Sequence, residues 1–459
     1  MSLHIIILAA GQGKRMHSKT PKVLHQLGGK PMLLRVIEAA QALNPEKIHV
    51  VIGHGGDHIR QALPELPVHW VEQAEQLGTG HAVMQALPYI LSTSQVLILS
   101  ADVPLIQTNT LQALLNHCNA ESKQSSPLGL LLANVVEPAG LGRIIRNQNN
   151  QISAIIEEKD ADESQRQINE IYSGICCVSA AALHRWLPKL SRANAQGEYY
   201  LTEIIGMAVA ENLPIVSLHT LDPNEILGVN NRLQLQQLER LWQKQLTTKL
   251  LLAGVSLADA NRVDIRGELH CGEDVFIDIN TLFEGKVILG DGCSIAPNCI
   301  LKNVTIGANS AILANTVLEN CTIGEYCQIG PFARIRPGTQ LQAHCKIGNF
   351  VEAKNALFGT GSKANHLSYL GDVTLGKQVN IGAGTITCNY DGANKHQTII
   401  EDGVFVGSDT QLVAPVTIGE NATIGAGSTI RKNVPAGELT LTESRQKTVY
   451  GWIRPKKQK

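Results

Sequence analysis

Short apolar runs alternate with amphipathic stretches through about the first 225 residues of the chain. The apolar runs include Ile5–Ala9, His49–Ile52, Val96–Leu99 and Leu128–Leu132, and the amphipathic stretches include Met32–Leu43 and Leu111–Cys118. Runs of this length are typical of buried strands, and the stretches between them are typical of helices that pack on a sheet. The alternation predicts an α/β domain with a mostly parallel sheet.

The second half has a different pattern, in which an aliphatic residue recurs about every six residues and often precedes a glycine. The repeat runs through Leu289, Ile295, Leu301, Ile306, Ile312, Val317, Ile323, Ile329, Ile335, Leu341 and Ile347, and resumes at Leu375, Ile381, Val406, Leu412, Ile418, Ile424 and Ile430. Most steps are six residues, with five-residue slips after Leu301 and Ile312. So many hexads in register predict a hexapeptide parallel β-helix, whose coils bury one continuous column of inward aliphatic side chains.

Two segments interrupt this repeat, Asn349–Tyr369 and Thr385–Ile400. Insertions in a solenoid map to loops, often on the binding face. Between the two halves, Asn230–Leu252 contains neither Gly nor Pro and predicts a linker helix that ends at Gly254. We therefore expect a first domain over residues 1–229, a helix over 230–252 and a β-helix domain over 253–459.

Composition narrows the class of protein. The 459 residues carry a formal net charge of −1, which supplies no basic field for strong nonspecific binding to nucleic acid. No apolar run approaches the ~18 residues that span a bilayer, which excludes membrane insertion. The apolar run at Ile5–Ala9 lacks a basic flank and leads directly into a glycine loop, so we interpret it as a buried strand and not as a signal peptide.

Cysteine and histidine patterns do not indicate a metal site. Ten cysteines in a chain of this length are sparse and favour a reduced, cytoplasmic protein. Cys293 and Cys299, like Cys321 and Cys327, are six residues apart, whereas zinc sites usually use C-x2-4-C. We interpret these cysteines as small apolar side chains at a repeat position. The segment His54–His58 offers two histidines and a carboxylate, but no further ligand lies nearby in the sequence.

The first predicted strand leads into Gly11–Met16, a loop rich in glycine and basic residues. The dinucleotide fingerprint needs a third glycine where Met16 stands, and the P-loop needs four residues between its glycines, so both fail. A glycine-rich turn remains, in which backbone N–H groups approach a nucleotide and Lys14, Arg15 and Lys22 meet its phosphates. A tight turn with solvated basic side chains explains the loop equally well.

Two further segments favour a nucleotide. Asp102 follows the strand predicted at Val96–Leu99, and ligands bind at this carboxyl edge in open α/β sheets. A single carboxylate together with phosphates commonly holds Mg²⁺, although a helix cap before Pro104 is an alternative. Residues Gln73–Gly80 carry amide and backbone groups suited to a base edge, and a plain loop is the alternative there.

Taken together, LxxGxGxRM, the Pro-Lys pair that ends at Lys22, QAEQLGTG, DVPL and GVNNR resemble the sugar nucleotidyltransferases. With the hexapeptide half, the chain from Ile6 to about Arg431 resembles the bacterial family of bifunctional N-acetylglucosamine-1-phosphate uridyltransferases/glucosamine-1-phosphate acetyltransferases. The resemblance implies a Rossmann-like first domain and a left-handed β-helix, a handedness that the period alone does not give. It also implies acetyl transfer from acetyl-CoA to glucosamine-1-phosphate, then uridylyl transfer from UTP to the product, which makes UDP-N-acetylglucosamine and releases pyrophosphate.

For the first domain, the resemblance implies four groups of site residues. Asp102 and Asn230 would hold Mg²⁺, and Arg15 and Lys22 would stabilise the triphosphate and the charge of the transition state. Leu8, Ala9, Gly11, Gln73, Gly78 and Thr79 would surround uridine, and Gly142 and Glu157 would contact the sugar.

The chain departs from this family at two positions on the sugar side. The family commonly has Tyr-Gly before the metal-binding aspartate, and this chain has Ser100-Ala101. An asparagine is expected within Glu170–Gly174, where Tyr172 stands, so we assign Tyr172 to the sugar contacts. Both changes bear on sugar preference and leave the metal and nucleotide chemistry unaffected.

For the second domain, the resemblance places the catalytic base on His366, and histidine is well matched to removing an amine proton near neutrality. The sugar phosphate would contact Arg336, Lys354, Tyr369, Asn380 and Lys395. Acetyl-CoA would contact Ala383, Asn389, Tyr390, Ser408, Ala426 and Arg445, with Ser408 also stabilising the developing oxyanion.

Two other functions fit parts of the sequence. One is a nucleotidyltransferase whose β-helix only oligomerises or senses an effector, and the other is a noncatalytic assembly protein. A scaffold has no need of His366, Lys354 or Lys395, so the bifunctional enzyme is favoured. The resemblance further implies a homotrimer that acts on small molecules, and we expect no channelling of the intermediate between two sites.

Overall fold

The computed structural model describes residues 2–53, 55–120, 127–443, 445–455 and 457. Its contacts divide the chain into two compact units, Met1–Trp242 and Gln243–Lys459. His54, part of the segment rejected as a metal site, lies outside the described residues. In the described part of the chain, no helix has both the length and the apolar character that crossing a membrane requires.

The N-terminal unit alternates strands and helices. Its strands are β1 Leu3–Ala9, β2 Gln26–Leu27, β3 Lys30–Pro31, β4 Lys47–Ile52, β5 His69–Glu72, β6 Gln95–Ser100, β7 Leu128–Asn134, β8 Gly142–Arg146, β9 Ile152–Ile156, β10 Glu170–Ser179 and β11 Ile215–His219. Its helices are α1 Met32–Gln41, α2 Gly56–Ala62, α3 Thr79–Ala86, α4 Thr108–Ala120, α5 Glu163–Arg166, α6 Ala180–Trp186 and α7 Glu203–Ala210. The helix predicted between the halves is α8, Arg232–Leu252, and the division between the units falls within it.

The main sheet of this unit has the order β11-β7-β10-β6-β1-β4-β5. Strand β10 is antiparallel to β6 and β7, and the other neighbours along this path are parallel. Alternate residues of β1 enter different clusters, because Ile5 and Ile7 pack on one face and Ile6 on the other. The sheet is therefore covered on both faces, and the predicted α/β domain with a mostly parallel sheet is confirmed.

The C-terminal unit consists of short parallel strands. They are β12 Ser256–Leu257, β13 Val263–Cys271, β14 Phe276–Ile277, β15 Thr281–Leu289, β16 Ser294–Ile295, β17 Ile300–Ile306, β18 Ala311–Ile312, β19 Val317–Ile323, β20 Gln328–Ile329, β21 Arg334–Ile335, β22 Gln340–Leu341, β23 Lys346–Asn349, β24 Glu352–Phe358, β25 Lys363–His366, β26 Tyr369–Leu375, β27 Asn380–Ile381, β28 Ile386–Cys388, β29 Thr398–Ile400, β30 Phe405–Val406, β31 Gln411–Val413, β32 Val416–Ile418, β33 Thr423–Ile424, β34 Thr429–Ile430 and β35 Leu439–Thr440.

The strand register confirms the predicted coil. Phe276 pairs with Ser294, which is 18 residues or three hexads further on. Ser294 then pairs with Ala311, 17 residues further on, as the five-residue slip after Leu301 requires. The inward aliphatic positions of the repeat are buried and form one continuous cluster from Val255 to Val434. One predicted position is wrong: Leu318, which pairs with Leu301, is the buried residue and Val317 is not, so the second five-residue slip follows Leu318 and not Ile312. The parallel β-helix predicted from the hexads is confirmed.

Each corner of the coil contains a residue in the left-handed backbone region. One corner column holds Asn298, Asn315, Phe332, Phe350 and Leu367 in consecutive coils, with φ between 48° and 62°. Asparagine tolerates this conformation, whereas it is strained for Phe and Leu. The three apolar members are nevertheless exposed. The rings of Phe332 and Phe350 stack, with 5.4 Å between their centroids. This column, hereafter the apolar corner, is a surface feature that the interior of the coil does not explain.

Cysteines inside the coil act as hydrogen-bond donors. Cys293 Sγ lies 3.2 Å from the Gly307 carbonyl oxygen, and in the next coil Ser310 Oγ donates to the Gly324 carbonyl at 2.8 Å. The thiol and the hydroxyl are thus interchangeable at a position that needs a small buried donor. All ten cysteines are free thiols, eight of them buried. The prediction of small buried side chains is correct, but these thiols also pair polar backbone groups.

Candidate active sites

The carboxyl edge of the N-terminal sheet opens into a cleft of about 620 Å³. Its lining includes the predicted residues Leu8, Ala9, Gly11, Arg15, Lys22, Gln73, Gly78, Thr79, Asp102 and Asn230. They come from the loop after β1, the segment after β5, the end of β6 and the residues before α8. The structure therefore gathers the residues predicted for the metal, the phosphates and the uridine in one cleft.

The loop after β1 depends on Gly13. This residue has φ +62°, and a Cβ there would lie 2.7 Å from Cβ of Lys22. A side chain at this position would be strained and would also displace Lys22. Gly13 therefore allows the two basic segments of the loop to pack against each other.

A compact polar cluster lies at the base of the cleft. Lys22 Nζ donates to Asp102 Oδ2 and lies 3.5 Å from Asn230 Oδ1. The other carboxylate oxygen, Asp102 Oδ1, accepts a 2.6 Å hydrogen bond from Ser100 Oγ. Side-chain oxygens from distant parts of the chain thus surround one cationic group, in the place where the sequence predicts Mg²⁺.

The residues predicted for the sugar are not among the described residues that line this cleft. Gly142 begins β8, and Glu157 follows β9, where Thr202 Oγ1 donates to Glu157 Oε1 at 3.2 Å. Burial raises the pKa of Glu157 above its usual value. Tyr172 pairs with Gly142 across the sheet and is 8% exposed, packed in the core cluster on one face. Burial also raises the pKa of the Tyr172 hydroxyl, which favours its neutral form.

Basic side chains converge on the predicted acetyltransferase residues of the β-helix. Lys354 lies in β24, and its pKa is lowered chiefly because Lys395 lies beside it, with a further contribution from Arg336. Arg336 Nη1 also donates to Glu352 Oε1 at 2.7 Å. Three cations this close together repel one another, so an anion between them would relieve that repulsion.

His366 ends β25 with an exposed side chain and pairs in register with Asn349. Near it, Tyr369 Oη and Asn389 Nδ2 both approach Gly371, where a Cβ would lie 2.5 Å and 2.8 Å from them. The Asn389 amide donates to Asp372, which also accepts from Asn355 Nδ2 at 2.7 Å. Tyr369 and Asn389 are thus held together on the side of the coil that bears Lys354.

A hairpin loop carries Tyr390 and Lys395, which form a backbone bridge with each other. Tyr390 Oη donates to the Gly392 carbonyl at 2.6 Å, and His396 Nε2 lies 2.7 Å from Asp391 Oδ2. Backbone N–H groups of the loop, led by that of Asn394, and then His396 lower the pKa of Asp391. These contacts hold the loop in one conformation and present Lys395 beside Lys354.

The residues predicted for CoA form a column along one corner. The Asp409 N–H donates to the Ala383 carbonyl at 2.7 Å, and the Gly427 N–H donates to the Ser408 carbonyl at 2.8 Å. Ala383, Ser408 and Ala426 therefore occupy equivalent positions in successive coils. Asn380 lies in the neighbouring ladder, paired with Lys363. Arg445 is exposed in the chain beyond β35, apart from this column in sequence.

Family comparisons match both halves of the chain. Residues 5–127 match the MobA-like NTP transferase domain, and residues 320–354 and 397–432 match the bacterial transferase hexapeptide (six repeats). A solved structure of a nucleotidyl transferase from Methanothermobacter thermautotroptrophicus aligns with 53% of this chain and 99% of its own, at 14% identity and a TM-score of 0.38.

Curated relatives match over the whole chain. The bifunctional protein GlmU of Legionella pneumophila (strain Lens) is 66% identical over 457 residues, covering 100% of this chain and 99% of that protein. Proteins of the same name from Marinobacter nauticus and Nitrosospira multiformis are 54% and 52% identical, over 99% of this chain and at least 98% of each. The chain belongs to the bifunctional GlmU family.

Membership of the GlmU family confirms the predicted enzyme class. The protein is a bifunctional transferase, with a nucleotidyltransferase domain followed by a hexapeptide acetyltransferase domain. The two alternatives, a β-helix that only oligomerises or senses an effector and a noncatalytic assembly protein, are set aside.

Some residues of the nucleotide cleft have no signal in the sequence. Glu198 lines the cleft. The carbonyl of the neighbouring Tyr199 accepts a hydrogen bond from the Gly80 N–H, and the Tyr199 N–H donates to the Leu77 carbonyl, both at 2.8 Å. Gly78 has φ +110°, and a Cβ there would lie 2.6 Å from the Tyr199 carbonyl oxygen. This close approach explains the glycine in the GTG segment, but no local pattern around Glu198 predicts it.

Proposed function

We propose that the two units catalyse consecutive steps toward UDP-N-acetylglucosamine. The C-terminal unit transfers an acetyl group from acetyl-CoA to the amine of glucosamine-1-phosphate. The N-terminal unit then joins the product to the uridylyl group of UTP. The observation that carries the proposal is the cluster of Lys22, Asp102 and Asn230 in the cleft of the glycine-rich loop, in a chain whose other unit brings Lys354, Lys395 and Arg336 together.

The oxygens of Asp102 and Asn230 fit Mg²⁺. Both are hard oxygen donors, and a positive group already lies between them in the form of the Lys22 ammonium. When bound, Mg²⁺ neutralises phosphate charge and polarises the phosphate that is attacked. Ser100 holds the far oxygen of Asp102, so the near oxygen stays directed at the cluster.

In uridylyl transfer, a phosphate oxygen of the sugar-1-phosphate bonds to the α-phosphorus of UTP, and the bond to pyrophosphate breaks. No covalent intermediate is needed, so the protein acts by positioning and by neutralising charge. Arg15 and Lys22 contact the triphosphate, while Leu8, Ala9, Gly11, Gln73, Gly78 and Thr79 surround the uridine. Gly142 and Glu157 hold the sugar, and Tyr172 supports that side from the core.

In acetyl transfer, the amine nitrogen of glucosamine-1-phosphate bonds to the thioester carbon. His366 takes the amine proton, and the CoA sulfur leaves and is protonated to the free thiol. Arg336, Lys354 and Lys395 bind the sugar phosphate, with Tyr369 and Asn380 beside it. Ala383, Asn389, Tyr390, Ser408, Ala426 and Arg445 contact acetyl-CoA, and Ser408 stabilises the oxyanion that forms on the carbonyl.

We further infer a cytoplasmic homotrimer that acts on small molecules and not on nucleic acid or membranes. Ten free thiols suit a reducing compartment. The apolar corner supports self-association, because Phe332, Phe350 and Leu367 are 48%, 59% and 63% exposed. Burying these side chains against a second copy would offset the backbone strain at all three positions.

The first test compares pyrophosphate release from UTP and Mg²⁺ with N-acetylglucosamine-1-phosphate and with glucose-1-phosphate. We expect a strong preference for the acetylated sugar, since Tyr172 is packed in the core and leaves Glu157 and Gly142 to contact the sugar. Equal rates with the two sugars would contradict the proposed substrate of the first site.

The second test measures release of free CoA from acetyl-CoA and glucosamine-1-phosphate. His366→Ala should reduce the rate by about 10²–10⁴-fold, the usual range for loss of a general base. His344→Ala is a matched control, because His344 is an exposed histidine at another corner of the coil. Full thiol release by His366→Ala would remove His366 from the mechanism.

A further inference from the structure

A chain of three polar side chains lies behind the base end of the nucleotide cleft. Gln73 follows β5, His81 lies in the first turn of α3, and Gln85 is one turn further along the same helix. Gln73 Nε2 is 3.0 Å from His81 Nδ1, and the Gln85 amide group is 3.1 Å from His81 Nε2. We refer to these residues as the Gln73–His81–Gln85 chain.

The Gly78 carbonyl sets the direction of this chain. Gln73 Nε2 lies 3.1 Å from the Gly78 carbonyl oxygen, which can only accept a hydrogen bond. One amide N–H of Gln73 therefore points at Gly78 and the other at His81 Nδ1. His81 Nδ1 must accept, so the ring proton is on Nε2, and Gln85 turns its amide oxygen toward it.

The opposite arrangement is less favourable. Turning the Gln73 amide over would place its oxygen 3.1 Å from the Gly78 carbonyl oxygen, with lone pairs facing each other and a buried acceptor unpaired. Turning Gln85 over costs only the long 3.4 Å contact between its amide and the His81 carbonyl. The hydrogen bond to the Gly78 carbonyl, and not the contact of Gln85, therefore sets the orientation of the Gln73 amide and the tautomer of His81.

Both N–H groups of the Gln73 amide are thus paired, and its oxygen is the one polar group of the side chain without a partner among the described residues. Gln73 is 2% exposed and lines the cleft, and within the described residues Oε1 has no hydrogen-bond partner. Because the rest of the side chain is buried and Gln73 lines the cleft, this oxygen can accept a hydrogen bond from a ligand bound there. Uracil has a single donor on its ring, the N3–H, whereas cytosine has an acceptor at N3.

We propose that His81 is a positioning residue that keeps the Gln73 amide oxygen directed at the base, so that the site accepts UTP and rejects CTP. The proposal rests on the uridylyl transfer proposed above and adds the residue that sets base selectivity. His81 does not line the cleft defined by the described residues, and it acts through Gln73. Its ring stacks on Tyr199 at 6.3 Å, and the Gly80 N–H ties the start of α3 to the Tyr199 carbonyl.

The test compares steady-state kinetics with UTP and with CTP, using Mg²⁺ and N-acetylglucosamine-1-phosphate. His81→Phe keeps a ring against Tyr199 but removes the acceptor, which frees one Gln73 N–H and lets the amide turn. We expect the ratio of kcat/KM for UTP to that for CTP to fall about tenfold or more, the value of one net hydrogen bond. KM for UTP should rise while kcat stays within about threefold of the wild type.

Two variants serve as controls. His81→Asn places an amide oxygen near the position of Nδ1 and should restore most of the base selectivity. Gln85→Leu removes the outer member of the chain but leaves Gly78 and His81 to hold Gln73, so its ratio should stay within about threefold of the wild type. Calorimetric unfolding of each variant checks that the N-terminal unit is folded, and CoA release checks that the other unit is unaffected.

The possible outcomes distinguish a failure of the role proposed for His81 from a failure of the proposed uridylyl transfer. An unchanged UTP-to-CTP ratio in His81→Phe, or no rescue by His81→Asn, would overturn the role of His81. A uniform loss of kcat with both nucleotides would mean that His81 is only structural, which also overturns it. Failure of the wild type to release pyrophosphate from UTP would instead overturn the proposed uridylyl transfer.

Discussion

The proposed mechanism gives Lys22 two partners, the polar cluster of Asp102 and Asn230 and the triphosphate. Its ammonium lies between Asp102 and Asn230, and Lys22 lines the same cleft as the glycine loop. A cation that moves from carboxylate to phosphate contributes most once the transition-state charge develops. In the proposed mechanism, the polar cluster therefore holds Lys22 in the cleft where the triphosphate binds.

We predict that Lys22→Ala lowers kcat for pyrophosphate release by about 10²–10³-fold and changes KM for UTP much less. Lys19→Ala, which removes an exposed lysine from the same loop, should leave both constants near their wild-type values. Steady-state kinetics over a range of UTP concentrations measures the split. A raised KM at unchanged kcat would assign Lys22 to ground-state binding alone.

Three histidines, His4, His49 and His69, lie side by side on neighbouring strands of the N-terminal sheet. His49 is fully buried in β4, with Nε2 3.1 Å from His4 Nδ1 and Nδ1 3.1 Å from His69 Nδ1. Burial, and then the neighbouring His4 and His69, lower the pKa of His49 from 6.5 to about 4. The folded protein therefore keeps His49 neutral in a range where the unfolded chain takes up a proton.

We expect the free energy of unfolding of the N-terminal unit to fall as the pH drops from about 6.5 toward 4, by on the order of 3 kcal/mol from His49. The stability is fully present above the unfolded-state pKa and is lost on acidification. His49→Val should flatten this dependence, whereas His58→Ala, at an exposed histidine, should not. Calorimetry at pH 7 and pH 5 compares them, and an unchanged pH dependence in His49→Val would contradict the assignment.

At the scale of elements, the β-helix was the part of the fold most accessible from sequence. Most inward positions at the hexad period are aliphatic, so the period and its slip after Leu301 fix the register that Phe276, Ser294 and Ala311 display. The apolar corner was not accessible in this way. Its residues follow no rule of the interior, and the conformation of Phe332 becomes visible only in the folded coil.

The residues of the nucleotide cleft also fall into some that the sequence predicts and some that it does not. Loop residues such as Gly11 and Asp102 were predictable, because a strand end fixes their place at one edge of the sheet. Glu198 was not, because its position depends on how a distant segment packs against Gly78. Tyr172 differs from both: the sequence predicts it among the sugar contacts, but the structure packs its side chain into the core.

The inward donors of the coil allow a prediction at this scale. Cys293→Ser keeps a donor for the Gly307 carbonyl and should change the free energy of unfolding of the C-terminal unit by less than about 1 kcal/mol, whereas Cys293→Ala should cost about 1–3 kcal/mol. Ser310→Cys is the reciprocal control. Denaturant unfolding measures all three, and equal effects of Ser and Ala at Cys293 would show that the hydrogen bond contributes nothing.

For the whole molecule, the two sites lie in different units, so each activity should survive loss of the other. Lys22→Ala should release CoA at the wild-type rate, and His366→Ala should release pyrophosphate from UTP and N-acetylglucosamine-1-phosphate at the wild-type rate. Assays of both reactions on both variants test this independence. Loss of both activities in either variant would indicate coupling between the units.

The apolar corner gives the prediction for assembly. Replacing Phe332 and Phe350 together by Asn relieves about 1 kcal/mol of backbone strain at each position and removes the exposed rings. We expect a chain that folds at least as well but sediments as smaller species, with CoA release reduced more than pyrophosphate release. Asn298→Gly, at the same corner, should sediment like the wild type. A double variant of unchanged mass would place self-association elsewhere.

The burial of the cysteine thiols has a practical consequence for detecting free CoA with a thiol reagent. Eight of the ten cysteines are buried, and burial raises the pKa of the two half-buried ones, that of Cys271 to about 11 and that of Cys388 above its usual value. Disulfide reagents react with thiolates, and few form on such groups near neutral pH. A chromogenic disulfide reagent added during turnover should therefore report the CoA produced against an almost silent protein background, until unfolding exposes the core thiols and they also release the coloured thiolate from the reagent.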